Sequence, residues 1–172
     1  GAYGLANGSV FNFASETGVG YVLGFALERK ELGQRLSVTY HSAVDLDFAT
    51  TENIPVAAGG LGVAVPTGNT SSDTPQSIEI AAQTGLNPQT LLFGSIRWSD
   101  WSKFALTPPA FGNNLAALQD AWTFEIGVGR RFSEKFSGSI AYTHELAGYS
   151  LVSPLGPNNG QDAITVGGKY QA

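Results

Sequence analysis

Hydrophobic and polar residues alternate along most of this chain, and the alternation restarts about seven times. Over residues 35–48, Leu36, Val38, Tyr40, Val44, Leu46 and Phe48 fall on one parity, with Ser42 the exception. Ser37, Thr39, His41, Ala43, Asp45 and Asp47 fall on the other. A strand sends successive side chains to opposite faces, so this segment has one apolar, aromatic face and one small, polar face. The same pattern predicts strands over residues 19–28, 76–86, 90–104, 121–132, 136–145 and 163–170. Residues 9–14, with Phe11 and Phe13 on one parity, form an eighth piece or an extension of the first strand.

The gaps between these strands alternate as well. Short turns near 29–34, 87–88 and 133–135 take turns with long connections near 49–74, 105–119 and 146–160. Outer-membrane barrels sort loops in this way, with short periplasmic turns at one rim and long extracellular loops at the other. Their strands run to about ten residues, against a mode of about five to six in soluble sheets. Tyr40, Phe48, Trp98, Trp101, Phe104, Trp122, Phe132, Tyr142 and Tyr170 fall near strand ends. Amphipathic rings favour that level of a membrane. The predicted fold is all-β, an antiparallel transmembrane β-barrel. Leu92, Ile96, Trp98, Phe124, Ile126 and Tyr142 are expected to face lipid.

Composition agrees with an unusual solvent. Charged residues are 13% of the 172, about half the share of roughly 25% in soluble domains, while hydrophobic residues stay at 42%. Gly, Ser, Thr, Asn and Gln replace the missing charge. No run approaches the ~20 apolar residues of a spanning helix, and a closed barrel is the other structure that satisfies its backbone inside lipid. A net charge of −5 without a Lys/Arg cluster argues against nucleic acid as a partner. Without cysteine there is no disulfide, thiolate metal site or cysteine nucleophile. The length suits a single domain over 1–172, and a start at Gly1 without a leader is read as the interior of a longer protein.

Certain strings go beyond architecture. Val19-Gly-Tyr-Val-Leu-Gly-Phe-Ala-Leu-Glu followed by Gly33-Gln-Arg-Leu-Ser-Val-Thr-Tyr-His-Ser-Ala-Val-Asp-Leu-Asp-Phe resembles one hairpin of the FadL/TodX family of outer-membrane transporters. Pro75-Gln-Ser-Ile-Glu-Ile, Trp98-Ser-Asp-Trp-Ser-Lys-Phe and Asp120-Ala-Trp-Thr-Phe-Glu-Ile-Gly-Val-Gly resemble the next three strands in order. The resemblance implies a barrel of about fourteen strands that passes long-chain fatty acids or other hydrophobic molecules across the outer membrane. It implies a monomeric, multi-pass barrel in outer-membrane lipid, with no cofactor and no chemistry of its own. On that reading the chain is a piece of about seven, up to eight, strands without the family's N-terminal hatch and closing strands. A small eight-stranded barrel with a structural or adhesion role is the alternative, and a soluble lipocalin-like barrel a third reading that low charge disfavours.

Two groups of residues are candidate substrate contacts. In the 49–74 connection, Ile54, Val56, Leu61, Val63 and Val65 are unusually apolar for a segment outside the membrane. Such a patch either receives hydrophobic substrate or packs on neighbouring loops, and both can hold. On the lumen side, Phe93 and Arg97 are the second group. Arg97 and Glu125 share inward parity and are expected to meet across one hairpin; Glu79 and Arg131 are similar lumen charges. No catalytic residue is expected: His41 and His144 lack a nucleophile motif, Asp45 and Asp47 read as solvated carboxylates, and Gly127-Val-Gly129 opens no helix.

Overall fold

The computed structural model describes residues 8–116, 118–148 and 160–171. In chain order its strands are β1 (Val10–Phe13), β2 (Val22–Arg29), β3 (Gln34–His41), β4 (Val44–Asn53), β5 (Val65–Thr74), β6 (Ser77–Asn87), β7 (Thr90–Ser99), β8 (Ala121–Arg131), β9 (Phe136–Glu145) and β10 (Gln161–Tyr170). Seven of them form one antiparallel sheet in the order β2-β3-β6-β7-β8-β9-β10. The order follows the chain, so this sheet is an up-and-down meander without crossovers. Between β3 and β6 the chain departs to build the β4–β5 hairpin, and β1 adds to the outer side of β4 to make a second, three-stranded sheet.

Register explains the alternation. Val38 stands opposite Ile80, Ile80 opposite Ile96, and Ile96 opposite Phe124, so one face of the large sheet carries continuous apolar rows. Leu92, Val128, Ile140 and Val166 form another such row. Leu92, Ile96, Phe124, Ile126 and Tyr142 are all exposed, as a lipid-facing wall requires. Trp98, on the same parity, is half-buried at the strand end and donates its indole N–H to Asp120 at 3.2 Å. The opposite face carries rows such as Ser37, Ala81, Ser95, Glu125, Thr143 and Ala163.

Two expectations need correction. The 49–74 connection is largely strand, because β4 runs to Asn53 and β5 begins at Val65. Its Thr, Ser and Asn residues lack a lipid-facing parity, but a hairpin outside lipid needs only its ladder and one covered side. The segment read as one strand over 35–48 is broken at Ser42 and Ala43. There the Tyr21 amide donates to Ser42 Oγ at 2.9 Å, and that hydroxyl donates to the Ala43 carbonyl at 2.9 Å. Ser42 was the one residue out of phase, and its hydroxyl holds the bend. Of the two readings of residues 9–14, the separate piece holds: β1 pairs with β4, Val10 opposite Asn53, and does not extend the first strand of the large sheet.

Turn chemistry closes the short-turn rim. Lys30–Leu32 form a 3-10 turn ended by Gly33 in the left-handed region, φ 59°, which favours glycine. The 133–135 turn lies where expected, with Ser133 Oγ accepting from the Lys135 and Phe136 amides. Within the third long connection, residues 149–159 lie outside the described residues.

Gly127 on β8 faces Phe93 on β7, and a Cβ there would lie 2.4 Å from Phe93 Cζ and 2.8 Å from the Ala141 Cβ. The ring therefore lies across the glycine. Gly127→Ala is expected to destabilise the complete barrel by about 1–3 kcal/mol through overpacking. Adding Phe93→Ala should recover most of that loss, because contacting sites are not additive. Loss of the heat-resistant folded band on a gel, followed against temperature, measures both.

Candidate functional site

The tip of the β4–β5 hairpin is built from Ile54 to Val65. Pro55 leads into a 3-10 turn at Val56–Ala58, and Gly59 at φ 87° ends it. The Gly62 amide then donates to the Ile54 carbonyl at 2.9 Å. Gly60 passes so close that a Cβ would lie 2.1 Å from the Ile54 carbonyl oxygen, which no side chain allows. This tight path turns Val56, Leu61 and Val63 outward, 71%, 73% and 57% exposed. Ile54 and Val65 are half-buried at the neck. An apolar patch is thus displayed on a backbone fixed by its own hydrogen bonds.

Below the tip lie several of the most deeply buried side chains among the described residues. Glu52 on β4 is 1% exposed and its carboxylate takes three donors. Thr67 Oγ1 reaches it at 2.6 Å, the Ala110 amide at 2.8 Å and the Phe111 amide at 2.9 Å. A buried carboxylate is tolerable when its lone pairs are filled in this way. The loop between β7 and β8 is thereby clamped to the hairpin. Phe111 packs edge-on against Phe11 of β1 at 5.4 Å, Pro108 is fully buried, and the Thr50 and Thr70 hydroxyls bond at 2.6 Å. The hairpin, β1 and this loop form one cap.

On the inner face of the large sheet a cavity of about 960 Å³ opens at the short-turn end. Leu91, Phe93, Gly129 and Ser139 line it, with Arg131 and Lys169 toward the rim. The cavity marks this face as the concave one. Arg97 lies further toward the long-loop end, opposite Glu79 on one side and Thr123 on the other. Its guanidinium donates to Ser77 Oγ at 3.3 Å. Glu125 stands opposite Ser95 and Thr143, and accepts from Thr143 Oγ1 at 3.4 Å. Arg97 and Glu125 share a face but form no ion pair among the described residues, so that expectation fails by two residues of register. Centring the hairpin at 111 instead of 110 is enough to cause the slip, because an error in the centre doubles in the pairing.

A hydrogen-bonded chain runs along the long-loop rim. Tyr40 Oη donates to Gln76 Oε1 at 2.9 Å, and Gln76 Nε2 donates to Asp100 at 3.1 Å. Ser102 Oγ donates to Asp100 at 3.1 Å while the Ser102 amide donates to Asp120 at 3.1 Å. Trp98 completes the chain through its own bond to Asp120. Burial alone would raise the Asp120 pKa, but the bonds from Ser102 and Trp98 outweigh it and hold the carboxyl below its ordinary value. Each of these residues comes from one of the strings that carry the family resemblance.

A family model for outer membrane protein transport proteins (OMPP1/FadL/TodX) matches residues 12–136. The chain belongs to this family. It is an outer-membrane β-barrel family of transport proteins. The crystal structure of the Pseudomonas putida toluene transporter TodX superposes with a TM-score of 0.59 at 18% identity, covering 91% of this chain and 41% of that one. A deltaS2 mutant of the TodX monoaromatic hydrocarbon channel gives 0.58 at 15% identity, with the same coverage. The chain therefore spans 41% of the length of these structures. No curated protein matches it.

Of the residues expected to meet substrate, Ile54, Val56, Leu61, Val63 and Val65 come together at one tip. Phe93 and Arg97 lie apart from them on the inner face of the other sheet. Sequence reasoning missed Glu52, whose signal was a lone acid among Thr residues in a low-charge stretch. His41 faces inward opposite Val22 and Ser77. His144 faces outward and its Nδ1 lies 2.8 Å from Asp162.

Two outcomes follow from this geometry. Glu52→Ala strands three donors, and bonds to a charged acceptor are worth about 1.5–3 kcal/mol each. Limited proteolysis should then cut the 105–116 loop at least about tenfold faster, while the barrel band keeps its heat resistance. The second concerns acid. Because the folded pKa of Asp120 is depressed, its rim bonds contribute fully above the unfolded value of about 3.9 and are lost as pH falls through the lower folded value. Indole fluorescence should report an acid transition below about pH 4 that Asp120→Asn abolishes.

Proposed function

We propose that the complete protein carries hydrophobic small molecules across the outer membrane, and that they land first on the β4–β5 tip. The observation that carries this reading is the outward display of Val56, Leu61 and Val63 on a hairpin that leaves the wall at the long-loop end. Isolated exposed leucines are ordinary, but three large apolar side chains held outward by one constrained turn form a patch that water covers at a cost. Burying a leucine-sized side chain against a ligand is worth about 1.5–3 kcal/mol. From the tip the path continues to the inner face, where Phe93 and the glycine-rich floor of the cavity offer apolar surface and Arg97 a hydrogen-bonding group.

The substrate class is long-chain fatty acids or other hydrophobic compounds, monoaromatic hydrocarbons among them. Family membership supports transport of hydrophobic compounds, and the fold relatives include a toluene transporter. The patch itself suits either class, because it recognises by area and carries no charged group.

Leu61→Asp with Val63→Asp tests the landing role. Uptake of a labelled long-chain fatty acid and of labelled toluene should each fall by about tenfold or more, since 1.4 kcal/mol is a factor of ten. Surface expression should stay normal, because the tip lies outside the wall. Normal uptake of both would make the tip a lid and place the landing site elsewhere.

A further inference from the structure

Charge is segregated along the strands of this protein, and the segregation points to a partner. Seven of the nine Lys and Arg residues lie at the short-turn end: Arg29, Lys30, Arg35, Arg130, Arg131, Lys135 and Lys169. Three acids accompany them, Glu28, Glu31 and Glu134, and the other eleven of the fourteen lie in the strand middles and at the long-loop end. The net charge of −5 therefore hides a cationic rim. Among the described residues only Arg35 of these seven is in an ion pair, with Glu28 at 3.3 Å.

The outward surface of the same rim has a second property. Arg29 and Arg130 have the parity of the lipid-facing residues on their strands, and Lys135 caps the turn between β8 and β9. Beside Arg130 and Lys135, and four strands away from Arg29, Phe132 and Phe136 stack at 5.5 Å, Tyr170 lies opposite Phe136, and all three rings are exposed. At this level the outward surface thus carries exposed rings together with cations that, among the described residues, are outside any ion pair. Arg130 lies one outward row inside the Phe132–Phe136 pair and Lys135 in the turn past it.

We propose that the short-turn rim binds the phosphate groups of anionic phospholipids in the leaflet it faces. The inference rests on the outer-membrane placement of the family, which sets the short turns at the periplasmic side. A zwitterionic headgroup satisfies the rings equally well, so the cations are the part that selects. Arginine and lysine near a membrane surface attract anionic lipid, while charges at the other rim lie beyond a Debye length and are screened. An acidic periplasmic protein would use the cations without needing the exposed rings, and the rings favour lipid.

The complete barrel in nanodiscs of phosphatidylcholine with graded phosphatidylglycerol provides the test, read by the association of spin-labelled phosphatidylglycerol relative to spin-labelled phosphatidylcholine. Native protein is expected to prefer phosphatidylglycerol by at least about fivefold, the effect of one surface cation. Arg29→Gln with Arg130→Gln and Lys135→Gln should remove the preference, as should high salt. Lys103→Gln, on the far rim, should leave it intact. Equal association of the two lipids with native protein, or a preference that survives the triple change, would overturn the proposal. A preference equally reduced by Lys103→Gln would also overturn it, by showing a diffuse field in place of a rim. Because the readout needs no transported substrate, it can fail while the tip reading stands, and the reverse.

Discussion

Inside lipid there is no water to satisfy a backbone amide or carbonyl, so every strand of the wall must be laddered to a neighbour. That requirement organises the large sheet. Its seven strands pair in chain order, and the ladders from β2 to β10 tie each side chain to a row across the wall. Because side-chain direction has a period of two, the ladder also decides what faces lipid and what faces the lumen. Outward rows such as Leu92, Val128, Ile140 and Val166 follow directly. So does the inward row in which Phe93 lies over Gly127 and Ala141.

Away from the wall a different rule holds the protein. The cap buries Pro108 and Ala116, and among the described residues its tightly buried positions also include the polar Thr50, Glu52, Thr70 and Ser72. Its cohesion comes from polar groups that fill one another's valences, with Glu52 binding two loop amides and a threonine hydroxyl. A charge in that position is stable only while all its partners stay in place. The apolar tip is consequently held at the end of a rigid support.

The wall and the cap meet at the rim chain of Tyr40, Gln76, Asp100, Ser102, Asp120 and Trp98. This accounts physically for the strings that mark the family. They lie far apart in sequence, yet they supply the groups that fasten the β7–β8 loop to the strand ends. The opposite rim is tied by shorter links, such as the Arg131 side chain donating to the Pro88 carbonyl, and collects seven of the nine cations of the chain.

Strand identity, antiparallel order and the lipid-facing parity were legible in the sequence because each follows from local alternation and from loop length. The short turns near 30, 88 and 134 were legible for the same reason. The partnership of Arg97 was not, since a register depends on where a long loop has its midpoint, and no local feature of residues 105–119 states it. Nor was the second sheet legible: Thr, Ser and Asn on both parities read as loop until Pro108, Ala110 and Phe111 are seen covering one side of the hairpin. Alternation makes these segments strands with one apolar face, and low charge with sorted loop lengths turns that face toward lipid. That Glu52 clamps the cap is visible only in three dimensions, because its partners Ala110 and Phe111 lie far along the chain. The outward aim of the tip valines and leucine follows from the folded path of residues 54–62.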